Sequence, residues 1–294
     1  MTRAGGAPPR ALGADRLELG EGARWIDGAL YLVDLLAGRL LTLDEGEAPR
    51  LRPVLSVPQS LGAVAPLAGR PGWWMAATGT GIAVVDPAGG CEWLDRPEDT
   101  NPVPVRMNDG TVDTAGRFWA GSMASDDTPC AGSLFRVDHD GSVRRVLDGI
   151  SVANGPAFAA AGDVMYLADS SAGTIDRYAV DIVSGNLTGR EPFIRIDEPG
   201  CSPDGMTVDT QGGLWVAIWG GSQVRRYRFD GSLEQTIPLA ASQPTSVCLG
   251  GPQGSRLFVT TASVGLRSPA NLDGALFMVE VDVVGVPLAA VILR

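Results

Sequence analysis

A short strand signature recurs six times along the chain: an apolar or aromatic pair, a small or apolar residue, then a small polar stop. It reads Leu30-Tyr31-Leu32-Val33-Asp34, Trp73-Trp74-Met75-Ala76-Ala77-Thr78 and Phe118-Trp119-Ala120-Gly121-Ser122 in the first half. It returns as Met165-Tyr166-Leu167-Ala168-Asp169, Leu214-Trp215-Val216-Ala217-Ile218 and Leu257-Phe258-Val259-Thr260-Thr261. The segments begin at 30, 73, 118, 165, 214 and 257, in steps of 43 to 49 residues. A period of roughly 40–50 residues with about four strands per unit is that of a propeller blade. Turns frame each unit: Asp27-Gly28, Asp113 to Gly116, Gly162-Asp163 and Asp209 to Gly212 stand just before a core strand. Gly in such turns accepts the positive φ that reverses the chain between antiparallel strands.

No long segment shows a 3.6-residue apolar period, so little helix is expected. Two β-sandwiches are the alternative, but the even step runs through the whole chain without a linker-like break. The expected architecture is all-β: one six-bladed β-propeller over residues 15–294. Residues 1–14, rich in Ala, Gly, Pro and Arg, read as a flexible tail without the apolar stretch of a signal peptide.

Composition narrows the chemistry. The formal net charge of −11 disfavours nucleic acid, whose binding rests on cations neutralising phosphates. All 23 basic residues are Arg, so a catalytic or Schiff-base Lys is excluded. His139 is the only His, so neither a three-histidine zinc site nor an HExxH motif exists. It lies in Asp138-His139-Asp140-Gly141 and reads as a solvated hairpin residue. Cys91, Cys130, Cys201 and Cys248 form no CxxC pair and read as free thiols, pointing to a reducing cytoplasm. No run approaches the ~18 apolar residues of a membrane helix, so no membrane partner is expected.

Polar residues that interrupt the apolar pattern carry the functional signal. Glu21 stands between two glycines in Leu19-Gly20-Glu21-Gly22, ahead of the first core strand. Asn108 in Arg106-Met107-Asn108-Asp109-Gly110, Asn154 in Val152-Ala153-Asn154-Gly155-Pro156 and Asp204 in Ser202-Pro203-Asp204-Gly205-Met206 stand ahead of the third, fourth and fifth. In a propeller such repeat positions converge on the central channel. Two carboxylates and two amides form an all-oxygen donor set suited to Ca²⁺, Mg²⁺ or Mn²⁺. Each residue alone is equally a turn residue; four at repeat positions are not readily a coincidence.

These stretches resemble the SMP-30/gluconolactonase/regucalcin family. The likeness rests on LGEGARW at 19–25, RMNDGTVDTAGRFWAGSM at 106–123, ISVANGPAF at 150–158, MYLADS at 165–170 and PDGMTVDTQGGLWVA at 203–217. The resemblance implies a six-bladed propeller with one divalent ion on Glu21, Asn154 and Asp204. Calcium is the first expectation, with zinc, manganese or magnesium as alternatives. It implies Asp204 as general base, and Arg106 and Asn108 as contacts to substrate. Family lactonases carry an acidic residue just after the Gly-Ser/Thr-Met-Ala stretch; here Ala124 is followed by Ser125, Asp126 and Asp127. Ser125 and Asp126 are therefore the expected replacements in the pocket, for a substrate that differs from the usual aldonolactone.

The activity implied is metal-dependent opening of a small hydroxylated, sugar-type lactone. Two alternatives stay open: a phosphotriesterase-like or other hydrolase on the same site, and a non-enzymatic calcium-binding propeller. Neither the oligomeric state nor the particular lactone is readable from the sequence.

Overall fold

A computed structural model describes residues 7–294. Twenty-four strands, and no helix among the described residues, form six four-stranded antiparallel sheets around one axis. The first strand, β1 (Arg10–Leu12), belongs to the last blade and is taken up below. Blade 1 is β2 (Gly20–Ile26), β3 (Ala29–Asp34), β4 (Arg39–Asp44) and β5 (Arg50–Ser56); blade 2 is β6 (Leu61–Pro66), β7 (Trp74–Thr78), β8 (Gly81–Val85) and β9 (Cys91–Asp95). Blade 3 is β10 (Val105–Val112), β11 (Phe118–Ala124), β12 (Gly132–Val137) and β13 (Val143–Ile150); blade 4 is β14 (Ala153–Phe158), β15 (Val164–Asp169), β16 (Thr174–Val180) and β17 (Leu187–Arg195). Blade 5 is β18 (Ser202–Val208), β19 (Leu214–Trp219), β20 (Gln223–Tyr227) and β21 (Leu233–Pro238). Blade 6 is β22 (Pro244–Gly250), β23 (Arg256–Thr261), β24 (Leu276–Glu280) and β1. The molecule is a six-bladed β-propeller.

The recurring signature marks the second strand of every blade. Its near-continuous apolar character follows from burial on both faces, because each blade packs between two neighbours. In β3, Leu30 and Leu32 pack toward blade 6, whereas Tyr31 and Val33 pack toward blade 2. In β11, Phe118 and Ala120 face blade 2 and Trp119 faces blade 4. In β19, Leu214 and Val216 face blade 4, and Trp215 and Ala217 face blade 6. The alternation of a strand thus feeds two cores at once, and six apolar clusters fill the six blade interfaces.

The Asp-x-x-Gly-x-x-Trp segments at 113–119 and 209–215 show how local chemistry fixes the hairpin inside a blade. Asp113 Oδ1 accepts the N–H groups of Ala115 and Arg117, and its Oδ2 accepts Trp119 Nε1 and Arg117 Nε. Asp209 does the same with Gln211, Gly213, Trp215 Nε1 and Arg226 Nε. A buried carboxylate is tolerated because every lone pair meets a donor.

The ring closes through β1, which departs from the expected tail over 1–14. Residues 1–6 of that tail lie outside the described residues, but Arg10–Leu12 pair antiparallel with β24, and Leu12 is buried. A three-residue strand is too short for alternation to show in sequence. The C-terminal residues 283–294 cross the opposite end of the channel from the site described next. Thr210 N–H donates to Val284 O, Val291 N–H to Pro66 O and Ile292 N–H to Gly116 O, so the segment ties blades 5, 2 and 3 together. A small cavity of about 90 Å³ is lined in part by Val286–Ala289.

Candidate functional site

The first strand of each blade lines the channel, and each carries a register break near its start. Between Glu21 and Arg24, Met107 and Gly110, Asn154 and Ala157, and Pro203 and Met206, three steps on the inner strand oppose two on its partner. Such a bulge re-aims side chains out of the regular alternation. All four oxygen-donor residues sit at these bulges. Their positions differ by one residue: Glu21 and Asn154 pair just before the break, whereas Asn108 and Asp204 lie inside it. Close backbone approach makes this possible. A Cβ on Gly62 of β6 would lie 1.8 Å from the Asn108 carbonyl oxygen. Gly155, with φ +81°, turns its N–H onto Asp109 Oδ2 at 3.1 Å.

One hydrogen-bonded chain links three blades. Arg106 Nη1 donates to Asn108 Oδ1 at 2.7 Å; Asn108 Nδ2 donates to Asn154 Oδ1 at 3.0 Å and to the Ala153 carbonyl at 2.9 Å. Asn154 Nδ2 donates to Ser170 Oγ at 2.8 Å, and Ser170 Oγ donates to the Pro203 carbonyl at 2.6 Å, next to Asp204. Because Ser170 spends its only proton on a carbonyl, it must accept from Asn154. That fixes which end of the Asn154 amide is oxygen. Asp169 accepts the N–H groups of Ser151 and Val152, and Asp34 accepts that of Leu19, so both hold the chain just ahead of Asn154 and Glu21.

Glu21, Asn108, Asn154 and Asp204 are all buried, at 4 to 6% exposure. Glu21 receives only its neighbour Gly22 N–H, at 3.3 Å. Asp204 Oδ1 is buried without any hydrogen-bond partner among the described residues. Burial first, and then the charge of Asp109, push the Glu21 carboxyl up to about 8, against the pull of Gly22 N–H, Arg106 and Arg24. Burial, then Glu21 and Asp109, raise Asp204 well above the ordinary carboxylate range, opposed by Gly205 N–H and Arg106. Burial lowers the Arg106 guanidinium, and Glu21 and Asp204 pull it back up. Deeper in the channel, Arg24 Nη2 pairs with Asp109 Oδ1 at 3.3 Å and donates to the Gly110 carbonyl at 2.7 Å. Three buried carboxylates thus face two guanidinium groups.

No group of three or more His, Cys, Asp or Glu side chains that could hold a metal occurs among the described residues. The expected set has a different makeup, two carboxylates and an amide oxygen. It fits a hard cation on two counts: an orphaned carboxylate oxygen and buried carboxylates short of counter-charge.

Ser125 and Asp126 lie at the rim of the same end. Met123 and Ala124 pair with Arg106 and Val105, and Ser125 N–H donates to the Pro104 carbonyl. Both residues are exposed, and Asp126 Oδ1 accepts the Thr128 N–H at 3.1 Å. His139 lies outside this group. It is half-buried rather than solvated: its Nε2 lies 2.9 Å from the Ala115 carbonyl, and Arg294 N–H donates to its own carbonyl. Sequence reasoning missed Ser170, Arg24, and Asp109 as a buried charge. The Asp-Gly and Ala-Asp-Ser contexts gave only turn signals, and their partners lie on other blades.

The chain matches the family model described as the SMP-30/Gluconolactonase/LRE-like region over residues 19–263. It is 38% identical to the pentonolactonase XacC of Haloferax volcanii over 203 residues, 66% of this chain and 69% of the relative. It is 32% identical to the regucalcin of Danio rerio over 266 residues, 87% of each chain. Its structure overlays that of a calcium-binding protein, regucalcin, from Agrobacterium tumefaciens with a TM-score of 0.87 at 25% identity, covering 98% of each chain. The chain therefore belongs to the SMP-30/gluconolactonase/LRE-like family of sugar lactonases.

Proposed function

We propose that this protein is a divalent-metal-dependent hydrolase that opens a small hydroxylated, sugar-type lactone to the hydroxy acid. The observation that carries this is the buried cluster at one end of the channel: Glu21, Asn154 and Asp204, with Asp204 Oδ1 unpartnered and Arg106 beside it. The pentonolactonase relative supports the substrate class, and the calcium-binding regucalcin structure supports calcium as the ion. Glu21, Asn154 and Asp204 would hold the ion; when bound, it would polarise the lactone carbonyl and offset the buried negative charge.

The chain's own residues supply the rest. Arg106 Nη1 is spent on the Met107 carbonyl and Asn108 Oδ1, and both Asn108 N–H groups on Asn154 and Ala153, so the other Arg106 N–H groups and the remaining Asn108 Oδ1 lone pair orient substrate hydroxyls. Asp204 takes a proton from the attacking water. As water oxygen bonds to the carbonyl carbon and the ring C–O bond breaks, that proton passes to the leaving ring oxygen, which becomes the product hydroxyl. With two carboxylate oxygens, Asp204 would hold the ion through one and take the proton on the other. Ser125 and Asp126, exposed at the rim, meet the distal part of the substrate. No helix among the described residues is long and apolar enough to cross a membrane, and Cys91, Cys130, Cys201 and Cys248 are free thiols, which suits a reducing cytoplasm.

The test is hydrolysis of a panel of aldonolactones by metal-stripped protein with Ca²⁺, Zn²⁺, Mn²⁺ or Mg²⁺ added back, with an organophosphate triester in the same panel. Metal-restored lactone opening is expected. Triester hydrolysis without lactone opening would instead favour the phosphotriesterase-like reading, and no turnover of either would favour a binding protein.

A further inference from the structure

The stretch that carries Ser125 and Asp126 joins β11 to β12, and both of its ends are tied to one buried carboxylate. Glu98 lies in the connection between β9 of blade 2 and β10 of blade 3, with its side chain buried. Its backbone N–H donates to the Thr80 carbonyl, which fixes it to the turn after β7. Glu98 Oε1 accepts the Ser122 hydroxyl at 2.6 Å, and Ser122 Oγ in turn accepts the Ser133 N–H at 2.9 Å. Ser122 has one proton to give, and the carboxylate is a nearer acceptor than the Ser133 carbonyl at 3.4 Å. Glu98 Oε2 accepts Asn101 Nδ2 at 3.0 Å, and the same nitrogen donates to the Ala131 carbonyl at 3.1 Å. Arg145 Nη2 stands off at 3.9 Å, so the hydroxyl and the amide are the groups that hold the carboxylate. A buried carboxylate is costly unless its lone pairs meet donors. The donors it meets here lead to either end of the rim stretch.

Between those ends the backbone is strained. Asp127 and Cys130 take φ of +61° and +59°, the left-handed region that residues other than glycine rarely adopt. Such a conformation persists only where its surroundings over-determine it. Ser125 N–H to the Pro104 carbonyl and Cys130 N–H to Ser151 Oγ add one bond each to those that run through Glu98. Ser125 and Asp126 are themselves exposed, so the backbone that carries them, rather than packing of their side chains, sets where they stand.

We propose that Glu98 is a positioning residue of the lactone site. Without touching substrate, it sets residues 125–131 so that Ser125 and Asp126 meet the distal hydroxyls. This rests on the lactonase reading above and on the place given there to Ser125 and Asp126.

The test uses Glu98→Gln and Ser122→Ala in the full-length protein, with Ser122→Thr, which keeps the hydroxyl, as the rescuing variant. Glu98→Gln preserves volume but turns one acceptor into a donor, so that Ser122 or Asn101 loses its partner. Hydrogen exchange over residues 125–131, calcium affinity and steady-state hydrolysis of an aldonolactone are read on each. Glu98→Gln and Ser122→Ala are expected to speed exchange over 125–131 and to raise KM by about 3- to 10-fold, the scale of one lost hydrogen bond. Calcium affinity and kcat should stay within about 2-fold of wild type, and Ser122→Thr should behave as wild type. In a Ser125→Ala/Asp126→Ala background, Glu98→Gln should raise KM no further, because the groups it acts through are gone. Unchanged exchange over 125–131 in both variants overturns the anchor. Faster exchange with unchanged KM, or a KM effect that persists in full in the Ser125→Ala/Asp126→Ala background, overturns the positioning role. Wild type that opens no lactone with any added ion, while the variants still show faster exchange, overturns the lactonase reading and the positioning role with it, and the anchor alone stands.

Discussion

Asn108 of blade 3 donates through Nδ2 to Asn154 Oδ1 of blade 4 at 3.0 Å. The bond joins the residue expected to touch substrate to one expected to hold the ion, and its neighbours extend it from Arg106 at one end to Ser170 and the Pro203 carbonyl at the other. The orientation of the Asn154 amide therefore depends on the Ser170 hydroxyl, which is itself held by the Pro203 carbonyl.

Replacing that hydroxyl is expected to loosen the ion without emptying the site. Ser170→Ala leaves Asn154 Nδ2 without its acceptor and frees the amide to turn. Loss of such an outer partner is expected to weaken metal affinity by about 10- to 100-fold. Calcium titration of Ser170→Ala and Ser170→Thr checks this; the threonine, which keeps the hydroxyl, should recover most of the affinity.

Arg106→Ala is expected to fail differently. Its guanidinium faces Glu21 and Asp204 and bonds Asn108 Oδ1, but it supplies no oxygen to a cation. Calcium affinity should hold or rise, because a positive neighbour has left. Lactone kcat/KM should fall by about 10²-fold or more through lost orientation. Parallel calorimetry and hydrolysis assays separate the two effects.

The pH dependence of stability should change sign with the ion. Without it, Glu21 has a carboxyl raised from its ordinary 4.5 to about 8, and Asp204 is raised in the same direction. A raised carboxyl stabilises the fold fully below its unfolded-state value, and that stability is lost as pH climbs through the folded value. Metal-free protein should therefore lose melting temperature between about pH 5 and pH 8 from these groups. Calcium requires the deprotonated forms, so the increment it adds to the melting temperature should grow over the same range. Thermal unfolding at three pH values, with chelator and with excess calcium, measures both slopes.

His139→Ala is expected to leave kcat within about 2-fold of wild type, far from the roughly 10²-fold loss of a removed acid–base group. Its ring is bonded to the Ala115 carbonyl in a hairpin beside the chain's last residue, apart from Glu21 and Asp204. Steady-state hydrolysis settles the point.

The second strand of each blade was legible in the sequence because both its faces are buried, which turns alternation into a continuous apolar run. The Glu-Gly, Asn-Gly and Asp-Gly pairs were legible because a bulge at the channel needs a small residue beside the donor. Ser170, Arg24 and the buried role of Asp109 were not. Each acts on a neighbouring blade: Ser170 reaches Pro203, and Arg24 reaches Asp109 across 85 residues of chain. β1 escaped notice for another reason, since Arg10–Leu12 has only Leu12 to bury and its partner β24 comes at the far end of the chain. Local patterns record which face is buried, but not which distant residue lies against it.

The central claim, that Glu21, Asn154 and Asp204 hold one divalent ion needed for lactone opening, is tested most directly by Asp204→Asn. Calcium affinity and lactone hydrolysis would be measured on the same metal-stripped preparation as wild type. Wild type should bind one ion per chain and regain hydrolysis with it. The variant, having lost a negative charge that would face the ion and its proton acceptor, should bind calcium more weakly and remain inactive at saturating calcium. Full activity of Asp204→Asn at saturating calcium would contradict the base role, and wild-type calcium affinity in the variant would contradict the ion's place.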